Sequence, residues 1–371
     1  MLKFLVIVFD FPGGIFYTTV MSVRIIDIAK EASVSLSAVS LALNNKPGVS
    51  EDVRKNIVAI AERLGYKSIV PDENMTIRLI QIAKHGHIIN EWHRAFVNEY
   101  MEGIEIAAKK LNYKLEVSFF SKIPIEEVIA GIKEINVDGL IILGTELNNY
   151  ELNGFTEIDK PILFIDTYFP LSIYDCVEID NVDGAFRAIQ YLYNSGHRKI
   201  GLVKSRYENW NFKMREYGFR EAMEYFSLPV LEKFIASVDP TFDQSMVDMD
   251  KYLSKNKELP TAFFCMNDII SYGCMKALKN HNYKIPDDIS VVGFDDMTSS
   301  SIFEPPLTTI KVSSHRIGQR ALEKLVDRIK NPQEYIPENI LISGKLIIRN
   351  SVKQLGGIHE LMYQEDKINE I

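Results

Sequence analysis

From Ile77 to Ile348, apolar runs of strand length alternate with amphipathic stretches of helix length, and this alternation is the strongest constraint on the fold. Ile77–Ala83, Leu115–Phe120, Gly139–Leu143, Pro161–Ile165 and Lys199–Val203 read as strands. Thr261–Cys265, Ser290–Gly293 and Leu346–Ile348 repeat the pattern further on. Between them Ala95–Leu111, Val182–Asn194, Asp268–Asn280 and His315–Lys330 carry apolar residues at helical spacing. Strands joined by helices imply parallel sheets covered on both faces. About 275 residues of such alternation is too much for one ordinary domain and predicts two lobes. In open sheets of this kind, ligands sit beyond the carboxyl ends of the strands.

The 371 residues, 46% hydrophobic and 25% charged, suffice to bury a large core without disulfides or metal. Cys176, Cys265 and Cys274 make no C-x-x-C pair, and no His/Cys cluster has zinc-ligand spacing. A reducing cytoplasm, no structural metal and no cofactor are therefore expected. The net charge of -8 argues against a protein that coats nucleic acid indiscriminately. It leaves room for a small reading head: Ser22–Val70 holds 7 Lys+Arg against 5 Asp+Glu, so the remainder carries about -10. Met1–Val8 is apolar apart from Lys3, but Asp10, Pro12, Gly13 and Gly14 break the run, which is too short to span a bilayer. No small-x-small cleavage site follows clearly. The expectation is that Met21 is the true start and residues 1–20 are upstream translated sequence; a signal peptide is the alternative.

Three short helices are read between Ile25 and Leu64. Ile25, Ile28 and Ala29 make one apolar face. Ser35 is an N-cap for a second helix from Leu36 to about Asn44, with Val39, Ala42 and Leu43 inward. Ser50 caps a third, in which Val53, Ile57, Ile60, Ala61 and Leu64 recur at helical spacing and Glu51 and Asp52 suit the dipole. Two short helices joined by a tight turn and braced by a third form a helix-turn-helix, whose second helix enters the major groove.

The run Ile26-Asp27-Ile28-Ala29-Lys30-Glu31-Ala32-Ser33-Val34-Ser35-Leu36-Ser37-Ala38-Val39-Ser40-Leu41-Ala42-Leu43-Asn44 resembles the head of the lactose-repressor (LacI-type) family. Lys46-Pro47-Gly48-Val49-Ser50 and Ala61-Glu62-Arg63-Leu64-Gly65-Tyr66 extend the likeness. The resemblance implies that Leu36, Ser37 and Leu41 occupy base-reading positions and that Ser35, Ser40 and Asn44 touch or approach phosphates. Lys46 and Arg54 join the phosphate set on charge alone. Ser35 is equally suited to be only an N-cap, and Ser40 to be a plain helix-face residue. Leu41 replaces a basic or hydrogen-bonding residue; it cannot grip guanine bidentately but can meet a thymine methyl. Ser33 stands where the family usually has glycine; at positive φ, serine there costs roughly 1 kcal/mol. The stretch Lys67–Asn74 lacks the family's hinge-helix pattern, which predicts an operator with little central kinking.

Further along, Val177-Glu178-Ile179-Asp180-Asn181, Ser195-Gly196-His197-Arg198-Lys199-Ile200, Arg215-Glu216-Tyr217-Gly218-Phe219, Met266-Asn267-Asp268, Pro286–Asp296 and Pro305–Ile310 also resemble the family, so the likeness runs from about residue 22 to 352. It implies a large domain like a periplasmic sugar-binding protein, with ligand between two parallel-sheet lobes. By position, Arg215, Asn267 and Asp295 are the expected polar effector contacts. Trp92 and Phe96 are candidate cleft walls, and Asp166 a further contact. Asp268 is read as a helix cap, Asp296 as a cap or a solvated group, Phe96 as equally suited to the core, and His197-Arg198 as binding nearby backbone. A sugar offers paired hydroxyls, which carboxylates, amides and guanidinium groups satisfy while aromatics cover the ring.

The chain thus reads as a small all-α helix-turn-helix head plus an α/β two-lobed domain. The divisions are a leader at 1–21, the head at 22–66, a linker at 67–76, an effector-binding and dimerisation domain at 77–353 and a tail at 354–371. The resemblance implies a cytoplasmic repressor, a homodimer on a pseudo-palindromic double-stranded operator, controlled by a small effector, a carbohydrate first. Neither catalysis nor membrane contact is expected: no G-x-x-x-x-G-K-[ST] or G-x-S-x-G motif occurs. An exported binding protein is the third class, and the DNA head argues against it.

Overall fold

The computed structural model describes residues 5–11, 14–20, 25–43, 46–64, 75–91, 93–332 and 336–356. The chain divides into two compact units, Met1–Asn74 and Met75–Ile371. In the first, strands β1 (Leu5–Phe11) and β2 (Gly14–Val20) pair antiparallel, with Phe11 opposite Gly14. Helices α1 (Ile25–Glu31), α2 (Leu36–Leu43) and α3 (Glu51–Arg63) follow. Their inward faces bury Ile28, Ala29, Val39, Ala42, Leu43, Ile57, Ile60 and Ala61 as one core. Each of these was placed on an apolar face by spacing.

The second unit opens with β3 (Thr76–Ala83), α4 (Arg94–Leu111), β4 (Lys114–Ser121), α5 (Ile125–Lys133) and β5 (Gly139–Leu143). Then come α6 (Leu152–Phe155), β6 (Ile162–Ile165), β7 (Asp175–Ile179), α7 (Asn181–Asn194), β8 (Ile200–Ser205) and α8 (Trp210–Tyr225). The chain continues through β9 (Ile235–Val238), α9 (Phe242–Lys255), β10 (Ala262–Cys265), α10 (Asp268–Asn280) and β11 (Ser290–Asp295). It finishes with β12 (Thr308–Lys311), α11 (Ser314–Lys330), β13 (Asn339–Ile342) and β14 (Lys345–Ile347).

These strands form two six-stranded sheets, ordered β13-β7-β6-β5-β3-β4 and β14-β12-β11-β10-β8-β9. Every pairing in them is parallel except β12 with β14. The central strands β5, β6, β7, β10 and β11 are buried along their whole length, as parallel strands covered on both faces must be. The alternation therefore predicts the two-lobed architecture correctly.

The lobes exchange chain three times. Strand β7 of the first lobe leads into α7, which packs on α8 in the second. Strand β12 of the second leads into α11, which packs on α4 in the first. Strand β13 leads directly into β14. One core runs through both lobes, and a second lies under α5 and α6. Helices α4 and α11 approach closely through two glycines: a Cβ on Gly103 would lie 2.2 Å from His315 O, and one on Gly318 2.3 Å from Tyr100 O. No helix among the described residues is long and apolar enough to cross a membrane.

Candidate functional site

In the head, Ser33 adopts φ 53°, the left-handed conformation that the α1–α2 turn requires. Serine therefore bears the strain a glycine would avoid. Ser35 caps α2: its Oγ accepts from Ala38 N (3.1 Å) and lies 2.8 Å from Ser37 Oγ. Leu36, Ser37 and Ser40 are exposed on α2, Leu36 at 51%, while Leu41 is half-buried. Lys46 is exposed in the loop that follows. Arg54, half-buried on α3, spends its guanidinium on carbonyls: Nη1 donates to Leu41 O (3.2 Å) and Ala42 O (3.0 Å), and Nη2 to Lys46 O (2.7 Å). It closes the end of α2, where charge alone had suggested a phosphate contact. Asn44 and Trp92 lie outside the described residues, as do residues 65–74, which hold the end of the head and most of the linker, and residues 357–371 of the tail.

In the second unit, Asp166, Asn267 and Asp295 leave the carboxyl ends of β6, β10 and β11, and Arg215 reaches them from α8. All four are buried. Arg215 Nε donates to Asn181 Oδ1 (2.9 Å) and Nη1 to Met266 O (2.6 Å). Its Nη2 lies 3.1 Å from Asp295 Oδ1, an ion pair without the alignment of a hydrogen bond, and its Cζ sits 3.8 Å from the Phe294 ring centroid. Burial pushes the Asp295 carboxyl up to about 7 against the pull of Arg215. Asn267 Oδ1 caps α10 by accepting from Ile270 N (2.9 Å), and its Nδ2 donates to His93 Nε2 (3.4 Å). Burial, then Arg215, depresses the His93 imidazole to about 4, so the ring is neutral and its Nε2 can accept.

Asp166 is a junction between lobes. Its Oδ1 accepts from Tyr100 OH (2.9 Å) and from Asn211 Nδ2 (2.9 Å), and Thr145 Oγ1 donates to Oδ2. Burial raises its carboxyl above the usual range against those three donors. Asp166 at φ 59°, Asp295 at 117° and Asp296 at 55° all occupy left-handed backbone where strands exit toward the cleft. Strained positions of this kind gather at functional sites. Phe96 is half-buried and sits edge-on to Tyr100 at 5.2 Å. Between the lobes lies an inner chamber of about 30 Å³ lined by His93, Phe96, Asn211, Phe212, Arg215 and Asp295, among others. An outer cavity of about 300 Å³ adjoins Glu91, Phe96, Glu99 and Asp296–Ser299.

Two family models match the chain: bacterial regulatory proteins of the lacI family over residues 24–68, and a periplasmic binding protein-like domain over 189–352. The HTH-type transcriptional repressor PurR of Haemophilus influenzae (strain PittEE) is 27% identical over 333 residues, 89% of this chain and 98% of that protein. PurR of Actinobacillus pleuropneumoniae serotype 3 (strain JL03) is 29% identical over 332 residues, with the same coverage. The chain joins a lacI-family helix-turn-helix region to a periplasmic binding protein-like domain. It is a DNA-binding transcriptional repressor. Its fold is also that of the solved transcriptional regulator CelR-cellobiose complex, with TM-score 0.67 and 23% identity over 89% of this chain and 99% of that one.

Within this lacI-family frame, the structure brings Phe96, Asp166, Arg215, Asn267 and Asp295 to one cleft. Asp268 does not cap α10. Its carboxylate accepts from Met297 N (2.8 Å) and from the hydroxyls of Ser300 and Thr309 (2.6 Å for Thr309), pinning the outer loop. Asp296 pairs with Arg349 at 2.6 Å. His197 bonds Thr261 and Lys353 O, and Arg198 bonds the carbonyls of Tyr193 and His197. His93, Asn211, Phe212, Tyr100 and Thr145 were not singled out from sequence. Asn211 carried a usable signal: it lies four residues before Arg215, hence on the same helix face.

Proposed function

We propose that this repressor binds a pseudo-palindromic operator as a homodimer in the cytoplasm and that a small carbohydrate in the interlobe cleft sets its operator affinity. In the head, Leu36, Ser37 and Leu41 hold the base-reading positions, and Ser35, Ser40, Asn44 and Lys46 serve the phosphates; Arg54 serves them only by holding α2. The effector reading rests on one observation above all. Two buried carboxylates, one guanidinium and the amides of Asn211 and Asn267 converge between Phe96 and Phe212 at the ends of strands from both lobes. Paired hydroxyls suit carboxylates and amides, and the apolar face of a ring suits phenylalanine. The same fold holds cellobiose in the solved regulator.

The inner chamber, about 30 Å³, is far below the several hundred Å³ of an ordinary ligand site, so entry of a ring requires the lobes to part. A flat nucleobase is the second reading, because Phe96 and Phe212 both line the chamber and a planar ring can stack on either. A thermal-shift screen of the full chain against sugars, nucleobases and sugar phosphates separates these, since a cleft ligand stabilises the folded state by mass action. Asp295→Asn should abolish the shift while operator binding persists. Asparagine is preferred to alanine because it keeps the side-chain volume and an acceptor oxygen near Arg215 and leaves no cavity. A ligand shift that survives Asp295→Asn moves the effector elsewhere, and turnover of the ligand by the purified protein points to an enzyme.

A further inference from the structure

The recognition helix carries an unusual reading face. Leu36–Leu43, LSAVSLAL, contains no Arg, Lys, Asn, Gln, Asp or Glu. Bidentate contacts to guanine need Arg or Lys and those to adenine need Asn or Gln, so α2 cannot make one. Arg54, at the end of α2, is committed to the carbonyls of Leu41, Ala42 and Lys46. The Ser37 hydroxyl is engaged with Ser35 Oγ at 2.8 Å, and that oxygen also accepts from Ala38 N. Leu41 is half-buried and packed toward the following loop, where a Cβ on Gly48 would lie 3.0 Å from its Cδ1. What the first turn of α2 still offers to a groove is the isobutyl group of Leu36, 51% exposed. The one apolar feature of the major groove is the thymine C5-methyl.

We propose that this repressor reads its half-site through a thymine methyl that Leu36 covers, and that its recognition helix grips no guanine bidentately. The proposal rests on the operator-binding reading given above. Burying a methyl-sized group is worth about four-fold in affinity per half-site, or roughly fifteen-fold across two.

The test uses the full-length protein. Duplexes are selected from a random pool, and each thymine of the selected half-site is then replaced by uracil, which removes only the methyl. The expected result is one thymine per half-site whose replacement weakens binding about four-fold per half-site. Leu36→Ala should bind more weakly than the parent but be indifferent to that replacement. The side chain is exposed, so the variant folds. The proposal is overturned if every uracil replacement is neutral, or if Leu36→Ala stays equally sensitive. It is overturned too if the site holds a guanine whose 7-deaza analogue abolishes binding in a way that depends on α2. A pool with no enriched sequence sinks the operator reading itself and this inference with it, an outcome separate from a selected site that ignores the methyl.

Discussion

At the scale of single residues, the head contains one place where side-chain chemistry and backbone demand disagree and one where a side chain meets that demand. Ser33 holds φ 53° without being glycine. Ser33→Gly should raise the stability of the head by about 0.5–1 kcal/mol, read as slower amide exchange in α1 and α2 of the full chain. An unchanged exchange rate would mean that the turn carries no strain. Arg54 offers a sharper distinction. If it serves α2, Arg54→Met should cost about 1–3 kcal/mol of head stability, because three carbonyls lose a charged donor. The slope of log affinity against log salt should then stay as it was. A guanidinium bound to phosphate behaves otherwise: its loss lowers that slope by about 1. Titrating operator affinity with salt for the parent and the variant decides between them.

At the scale of elements, the strands that periodicity singled out exist, with ends shifted by a residue or two. The hydrophobic effect fixes which runs are buried, and turn geometry fixes where they stop. Eight elements of the second unit were not anticipated: α5, α6, α8, α9, β7, β9, β12 and β13. Helix α8 shows why. Its buried face includes Asn211 and Arg215, which an apolar-spacing rule scores as solvent-facing, because they are paid for by partners distant in sequence. The cleft residues were legible where they follow strands, as Asp166, Asn267 and Asp295 do. They were illegible where a loop folds back, as at His93. Strand β7 carries a further consequence. Glu178 is buried beside β13, accepts from Asn339 Nδ2 at 3.1 Å, and burial pushes it up to about 7 from 4.5. The native state therefore holds a proton that the unfolded chain releases. Stability falls as pH rises through that window, and the loss is complete above about 7. Glu178→Gln has no proton to hold. Its advantage over the parent in urea unfolding should be small near pH 5 and grow by roughly 1–3 kcal/mol near pH 8. An advantage that does not change with pH would place the cost of Glu178 elsewhere.

At the scale of the whole second unit, several contacts among the described residues tie the lobes across the cleft, and three of them bear on opening. Asn211 reaches Asp166, His93 reaches Asn267, and the His87 ring stacks on Tyr207 at 4.1 Å with 14° between planes. The loop that supplies His87 and His93 is itself pinned by Glu146, whose carboxylate accepts from the backbone N–H groups of His85, Gly86, Ile88 and Ile89 at 2.9–3.2 Å. That anchoring makes the loop a rigid latch on the first lobe. Opening must break contacts made by Tyr207, Asn211 and Asn267 of the second lobe, while the three crossovers between sheets stay covalently continuous and act as the pivot. Tyr207→Ala removes the stack with His87, an aromatic pair worth about 0.5–1.5 kcal/mol. The open population should rise by that energy, about two- to ten-fold. Small-angle scattering would read it as a larger radius of gyration, and amide exchange as faster opening at residues 85–93. The same energy bounds the allosteric effect. A change in the lobe equilibrium shifts operator affinity only through the difference in affinity between the two states. Tyr207→Ala should therefore alter operator affinity by no more than about ten-fold, in the same direction as saturating effector does. A change opposite to that of the effector would show that effector binding closes the lobes further than the latch does, and the role of Tyr207 would reverse from restraining the induced state to supporting it.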